Sequence, residues 1–167
     1  MKLLFIIGSL SHHSVHLELS KEVKSYLESK NHEVSYLDYK YIPYVNQDIF
    51  FPAPEYVRRV REEVENSDGV IMFVPSHNDT YPAVIKNLMD WLSLPNIEGD
   101  HHIVSNNMKI MAITICENKD TNVLKYLEEL CDEIGADVLT TFKTPIHLKV
   151  DYEKLQEKIN QFLKSIA

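Results

Sequence analysis

The segment KLLFIIGSLSHHSVHLELSKEVKSYLESK, residues 2–30, contains the change of hydrophobic period that decides the fold class. Residues 2–7 form an apolar run that ends at Gly8, which is typical of a strand buried on both faces of a parallel sheet. Residues 14–30 then carry an apolar side chain at every fourth position, which predicts an amphipathic helix. The segment is therefore predicted to form a strand, a loop and a helix.

The same alternation continues along the rest of the chain. Further strands are predicted at residues 33–37, 69–74, 108–115 and 136–141, the last at a sheet edge, and further helices at residues 55–64, 85–92, 124–134 and 155–166. Strict alternation predicts right-handed crossovers and a parallel sheet with helices on both faces. Five strands fit the flavodoxin-like order 2-1-3-4-5 better than a six-stranded dinucleotide-binding order. We therefore predict one α/β domain over residues 1–167, a three-layer sandwich.

Composition excludes several classes of protein. The 25 acidic against 17 basic residues give a net charge of -8, which argues against nucleic acid or anionic membrane as a partner. Four glycines are too dispersed to form the G-x-G-x-x-G dinucleotide motif. Two cysteines form no disulfide framework and favour a reducing compartment, and no apolar run approaches the roughly 20 residues of a spanning helix. We expect a cytoplasmic protein.

Three loops at the carboxyl ends of strands are the predicted ligand site. In a sheet of this order the crevice lies where the strand order reverses, so it involves residues 8–14, 75–82 and 116–121. The first loop places the hydroxyls of Ser9, Ser11 and Ser14 at a helix N-terminus, which favours an anion such as phosphate. An equally weighted alternative is that Ser14 only caps the helix.

Two motifs resemble a known family. Residues 74–91, VPSHNDTYPAVIKNLMDW, resemble the P-E-Y-N-x-S-x-P-G-x-L-K-N-x-x-D-W signature of the NADPH-dependent FMN reductase family. Residues 8–16, GSLSHHSVH, resemble its G-S-x-R-x-x-S-x-N opening, and residues 43–48, PYVNQD, are similar to its acidic loop after the second strand. The three motifs occur in the family's order along the chain.

The resemblance implies a flavodoxin-like fold, non-covalently bound FMN, and NADPH or NADH as the hydride donor. It places four side chains around the ribityl phosphate, namely Ser9, Ser11, Ser14 and His16. It places four residues at the border of the isoalloxazine ring, namely Pro75, Ser76, His77 and Asn78. Cys116, at the end of the fourth strand, is a further candidate, although a buried inert thiol is the favoured interpretation. The family also implies a homodimer or homotetramer.

The chain departs from the family pattern at the phosphate loop. Ser11 stands where the family usually has Arg, and His16 where it has Asn. We hypothesise that a nearby phosphate raises the pKa of His16, so that an imidazolium partly replaces the missing positive charge. A metal site at His12, His13 and His16 is disfavoured because no further ligand lies nearby in the sequence. The helix with Arg58, Arg59 and Arg61 is interpreted as a solvated face.

The resulting prediction is an FMN-dependent NAD(P)H oxidoreductase that reduces a small acceptor: a flavin, a quinone, an azo compound or a nitro compound. Because the cofactor carries the chemistry, no catalytic acid, base or nucleophile is assigned. Two alternatives stay open: a flavodoxin-like electron carrier, and a family member that has lost flavin and acts through its interface. A receiver-type signalling domain is rejected, since it needs acidic residues where Gly8 and Ser9 stand and an Asp at Pro75.

Overall fold

The computed structural model describes residues 1–167 and has five strands that alternate with five α-helices. The elements are β1 (Lys2–Ile7), α1 (Val15–Ser29), β2 (Glu33–Tyr36), α2 (Glu55–Glu65), β3 (Gly69–Phe73), α3 (Ala83–Leu92), β4 (Lys109–Cys116), α4 (Val123–Glu133), β5 (Asp137–Pro145) and α5 (Tyr152–Ser165). Short 3-10 helices occur at Gln47–Ile49 and Val104–Asn107. None of the helices combines the length and the apolar composition needed to cross a bilayer.

The sheet is parallel throughout and its strand order is β2-β1-β3-β4-β5. This confirms the predicted flavodoxin-like order and the three-layer arrangement. Because β1 pairs with β2 on one side and β3 on the other, the order reverses between β1 and β3. A crevice therefore forms at the carboxyl ends of these strands.

Both faces of the sheet are covered, which explains the continuous apolar runs in the strands. In β1, Leu4 and Ile6 pack into the core shared with α2, α3 and α4, whereas Leu3 and Phe5 pack into the core shared with α1 and α5. Successive side chains of a strand point to opposite faces, so a strand between two helical layers must be apolar at every position. All five residues of β3 are buried for the same reason.

The edge strand β5 extends four residues beyond its predicted end. Its later residues look polar in the sequence, yet Thr140 and Thr144 are buried and the pairing with β4 continues to Pro145, opposite Cys116. The register shifts once, between Ile110 and Met111 of β4. The extension matters because it brings the residue after β5 to the carboxyl edge of the sheet.

Arg61 corrects the interpretation of α2 as a solvated face. Its side chain is 1% exposed, and its guanidinium donates to the main-chain oxygen of Trp91 and to the side-chain oxygen of Asn96. Burial lowers the pKa of Arg61 to about 10, so the group stays charged at neutral pH. The arginine thus binds carbonyl groups near the end of α3, where the helix dipole favours a cation.

The α3 side chains of the second motif hold the long connection between β2 and α2. Asn87 accepts a hydrogen bond from the amide of Val45 and donates one to the oxygen of Pro43, both at 2.9 Å. The indole of Trp91 donates to the same oxygen at 2.7 Å, and Trp91 is fully buried. Asn87 and Trp91 therefore have a structural role, and Trp91 lies in the core.

Candidate functional site

The loops that follow β1, β3 and β4 enclose one cleft of about 590 Å³. Its position is the point of strand-order reversal, where open α/β sheets bind their ligands. Eight of the nine residues predicted from the sequence line it: Ser9, Ser14, His16, Pro75, Ser76, His77, Asn78 and Cys116. The three predicted loops therefore converge, although they are up to about 100 residues apart in the chain.

The first loop presents unpaired donors at the start of α1. Ser14 occupies the position before the helix, but its side chain makes no capping hydrogen bond. The main-chain N–H groups of Val15, His16 and Leu17 have no acceptor within the protein. Free amides at a helix N-terminus, together with the helix dipole, favour a bound anion. The structure therefore does not support the alternative in which Ser14 serves only as a cap.

Gly8 allows the first loop to lie directly against β3. Its amide donates to the oxygen of Phe73 at 2.7 Å. A Cβ atom at position 8 would lie 3.0 Å from that oxygen and from Cδ of Pro75. No larger residue fits here without displacing the loop that begins at Pro75.

Ser11 is the one predicted residue that does not reach the cleft. It lines a separate depression of about 160 Å³ on the β2 side, together with Leu37 and Lys40. Its hydroxyl accepts a hydrogen bond from the amide of His13 at 3.2 Å, which stabilises the turn. The sequence spacing could not show this, because the chain turns at residues 12–13 and separates Ser11 from Ser14.

His16 accepts a hydrogen bond through Nε2, an arrangement that favours a neutral ring over the imidazolium hypothesised to form beside a phosphate. The amide of Ile115 donates to Nε2 at 2.9 Å, so the ring carries its hydrogen on Nδ1. Burial and, secondly, the electrostatic interaction with His77 lower the pKa of His16 to about 4. The ring therefore joins α1 to β4 at the floor of the cleft and carries no positive charge at neutral pH.

The second loop forms a two-residue hairpin. The amide of His77 donates to the oxygen of Thr80 at 2.8 Å, and the amide of Thr80 donates back at 3.1 Å. Asn78 and Asp79 between them both have positive φ, 50° and 66°. Asn and Asp are the residues other than glycine that best tolerate this conformation.

Side chains join this hairpin to the third loop. The carboxylate of Asp79 accepts hydrogen bonds from the amide of Asn122 at 2.9 Å and from its side-chain nitrogen at 2.6 Å. The hydroxyls of Ser76 and Thr121 lie 2.8 Å apart. Hydrogen bonds from the Asn122 side chain and amide lower the pKa of the Asp79 carboxyl. These partners were not predicted from the sequence, where the only signal was the pair of turn-forming residues at 78–79.

Apolar atoms form the wall contributed by β4 and by the residue after β5. Ile115 and Ile146 both line the cleft, and Ile146 is 48% exposed. Cys116 is buried, with its sulfur 3.7 Å from the oxygen of Thr144. Burial raises the pKa of the Cys116 thiol, which keeps it protonated and poorly nucleophilic at neutral pH.

The cleft contains no lysine or arginine among its lining residues. Its histidine and carboxylate side chains are His13, His16, His77, Asp79 and Glu117. An anion would therefore have to be held mainly by uncharged donors, the free amides and hydroxyls at the start of α1.

Comparison with curated proteins identifies quinone reductases as relatives. The chain is 28% identical to a 2-hydroxy-1,4-benzoquinone reductase of Burkholderia sp over 95 residues. The matched region covers 57% of this chain and 51% of the relative. It is 31% identical to a quinone reductase of Pseudomonas putida over 91 residues, and this matched region covers 54% of this chain and 48% of that relative. The chain thus spans about half the length of these relatives.

Comparison with solved structures gives the same fold over the whole chain. A flavoenzyme NAD(P)H:(acceptor) oxidoreductase from Paracoccus denitrificans superposes with a TM-score of 0.75 at 22% identity and covers 99% of this chain and 94% of that one. The model of one protein family, described as NADPH-dependent FMN reductase, matches residues 1–146, which include every loop of the cleft up to Ile146. The chain belongs to the NADPH-dependent FMN reductase family.

Proposed function

We propose that the chain binds FMN non-covalently in this cleft and acts as an NAD(P)H-dependent oxidoreductase on small acceptors. The observation that carries the proposal is the uncapped start of α1, where the amides of Val15, His16 and Leu17 and the hydroxyl of Ser14 have no partner. A family member with this arrangement has a ready site for the FMN phosphate.

The dimensions and lining of the cleft fit the cofactor. A volume of about 590 Å³ lies within the range of small-molecule sites, which is roughly 300–1,000 Å³. A hollow of about 730 Å³ along α5 fits less well, because its lining is entirely polar. The site at the carboxyl ends instead combines the free donors at the start of α1 with the apolar side chains of Ile115 and Ile146.

The ring end would lie between the hairpin and the β4 wall. The amides of Ser76 and Asn78 have no acceptor in the protein, so they are available to the ring carbonyl and nitrogen atoms. Ile115 and Ile146 would cover the ring edge and exclude water. Such contacts orient a flavin and adjust its redox potential.

Bound FMN supplies the redox chemistry, accepting a hydride from the nicotinamide and passing electrons to the acceptor. The chain's own part is to bind and orient the reactants. No side chain is assigned as acid, base or nucleophile, and the protonated thiol of Cys116 serves as wall. By analogy with the named relatives, quinones are the first acceptors to test.

We further propose that the chain works as a homo-oligomer in the cytoplasm. Tyr41 and Tyr44 are 73% and 82% exposed on the connection between β2 and α2, and exposed tyrosines are common at interfaces. The buried free thiols, Cys116 and Cys131, suit a reducing compartment. Light scattering on the purified chain would distinguish a monomer from a dimer or tetramer.

The test is a titration of the purified chain with FMN and riboflavin, followed by anaerobic addition of NADH or NADPH. We expect quenching of flavin fluorescence, tighter binding of FMN than of riboflavin, bleaching by a nicotinamide, and turnover with a quinone. Flavin binding without nicotinamide oxidation would indicate an electron carrier. A chain that binds neither flavin would contradict the proposal and favour a role through its interface.

The variant Val15→Pro tests the phosphate end separately. Val15 is the first helical residue, where proline is tolerated and removes only an N–H that has no partner. We expect about tenfold weaker FMN binding and unchanged riboflavin binding, since only FMN carries the phosphate. Tyr152→Pro, at the first position of α5 and outside the cleft, is the matched control. Equal losses for both flavins would place the phosphate elsewhere.

A further inference from the structure

The hairpin at residues 77–80 has an unfavourable backbone conformation at two adjacent positions. Asn78 and Asp79 both have positive φ, a conformation that is less favourable than the right-handed region for every residue except glycine. Glycine would adopt the second position without this cost. Conformations of this kind persist where surrounding contacts stabilise them, and Asp79 makes such contacts with Asn122.

Both carboxylate oxygens of Asp79 accept hydrogen bonds from Asn122 in another loop, and the neighbouring Thr121 side chain also interacts with this carboxylate. Oδ1 accepts from the main-chain amide of Asn122, and Oδ2 accepts from its side-chain nitrogen. Asn122 immediately precedes α4, so the carboxylate fixes the start of that helix relative to the hairpin. The hydroxyls of Ser76 and Thr121 form a second link between the same loops.

We propose that Asp79 is a positioning residue, whose two hydrogen bonds to Asn122 hold the hairpin and the third loop at the spacing needed to bind the ring end of FMN. The inference rests on the proposed binding of FMN in the cleft. Asp79 acts through Asn122 and through the two loops, and it serves neither as acid nor as base.

The placement of the link explains why it would act on the ring and not on the phosphate. The hairpin and residues 115–118 both line the cleft, and neither Asp79 nor Asn122 belongs to the start of α1, where the free amides lie. If the link is lost, each loop keeps its own internal hydrogen bonds but their separation becomes variable. A flat ligand between them then loses contacts on both faces, while an anion at α1 keeps its donors.

The decisive variant is Asp79→Gly. Asn-Gly is the preferred pair for a two-residue hairpin turn, so this substitution favours the local turn while it removes both hydrogen bonds to Asn122. Asp79→Asn retains a residue that tolerates positive φ and one oxygen acceptor. Asn122→Ala removes only the side-chain bond from the other partner. Asp120→Asn is the charge control, since the Asp120 carboxylate, on the same exposed loop, has no hydrogen-bond partner.

The readout is the dissociation constant of FMN and of riboflavin for each variant, with the visible circular dichroism of the bound flavin and the melting temperature. We expect Asp79→Gly to weaken both flavins about fivefold, leaving the FMN-to-riboflavin ratio unchanged. The flavin dichroism should change while the melting temperature stays within a few degrees. Asp120→Asn should bind within about twofold of the unmodified protein, whereas Asp79→Asn, which keeps only one of the two hydrogen bonds, should lie between Asp120→Asn and Asp79→Gly.

The combined effect of substitutions at Asp79 and Asn122 on flavin affinity gives a second, independent criterion. Asn122→Ala should weaken both flavins less than Asp79→Gly does, and the double variant should match Asp79→Gly alone, because both changes act on one link. Losses that multiply would overturn the inference. So would an Asp79→Gly variant with unmodified affinity, or one that alters the FMN-to-riboflavin ratio as Val15→Pro does. If the unmodified chain binds neither flavin, the proposed function fails together with this inference. If the unmodified chain binds FMN and only the variants behave otherwise than expected, this inference alone fails.

Discussion

At the scale of single residues, the cleft depends on groups that carry no charge. The unpaired amides of Val15 and Leu17 are neutral donors, and His16 stays neutral because its Nε2 already accepts a hydrogen bond from Ile115. Asp79 is ionised, but its carboxylate is engaged by Asn122. Affinity for a phosphate must therefore come from hydrogen-bond geometry more than from ion pairing.

His16 should make the unfolding free energy depend on pH between about 4 and 6.5. Its pKa is about 4 in the folded protein and 6.5 as an unperturbed group, so in this window the unfolded chain binds a proton that the folded protein excludes. Stability therefore falls as the pH falls, by up to about 3 kcal/mol from this group alone. Above pH 6.5 both states have a neutral ring and the effect is absent.

The variant His16→Gln removes this titration and keeps an oxygen at about the position of Nε2, where it can accept from Ile115. Urea unfolding at a series of pH values should show that the unmodified protein loses stability relative to the variant as the pH falls from 7 to 4. A free-energy difference between the two proteins that stays constant over this range would mean that His16 is not held neutral.

Two residues mark the limit of what single positions in the sequence can reveal. The serines and histidine of the first loop were identifiable because they follow a buried strand and begin a helix. The neutrality of His16 was not, since it depends on an amide 99 residues away. Ser11 was grouped with Ser9 and Ser14 by spacing, but the turn between them directs it to the β2 side.

At the scale of elements, α3 has two tasks that its sequence motif combines. Its apolar face, with Ile85 and Leu88, packs on the sheet, while Asn87 and Trp91 hold Pro43 of the long connection. The connection has little regular structure, with one short 3-10 helix, so these side-chain bonds replace the missing backbone pairing.

The variant Asn87→Ala should therefore loosen the connection. It leaves the amide of Val45 and the oxygen of Pro43 without one partner each, and we expect the free energy of unfolding to drop by about 1–3 kcal/mol. Hydrogen exchange at the Val45 amide should accelerate, whereas exchange in β1 should change only by the global loss of stability. Lys86→Ala, on the same helix but paired only with Asp90, is the control. An unchanged rate at Val45 would show that Asn87 does not hold the connection.

The strands whose buried side chains are all apolar could be predicted from the sequence. The strands β1, β3 and β4 are apolar along their length because helices cover both faces. The strand β5 was predicted too short, because its buried threonines look like surface residues. The burial of Arg61 was missed for a related reason, since its partners, Trp91 and Asn96, are distant in the chain.

At the scale of the whole molecule, the net charge of -8 opposes any polyanionic ligand at long range. The topology compensates locally, because parallel strands bring three loop starts and one helix N-terminus to a single edge. The location of the site could therefore be predicted from the alternation of strands and helices. The link between Asp79 and Asn122 could not, because it joins two loops that only the folded sheet brings together.

The central claim is that FMN binds in this cleft through the main-chain donors of its loops, and hydrogen exchange of the full chain with and without FMN tests it most directly. The account predicts slower exchange at residues 15–17, at Ser76 and Asn78, and in residues 116–118, with no change along the exposed face of α5. FMN added at saturating concentration that leaves those amides unaffected, or that protects amides elsewhere instead, would contradict the account.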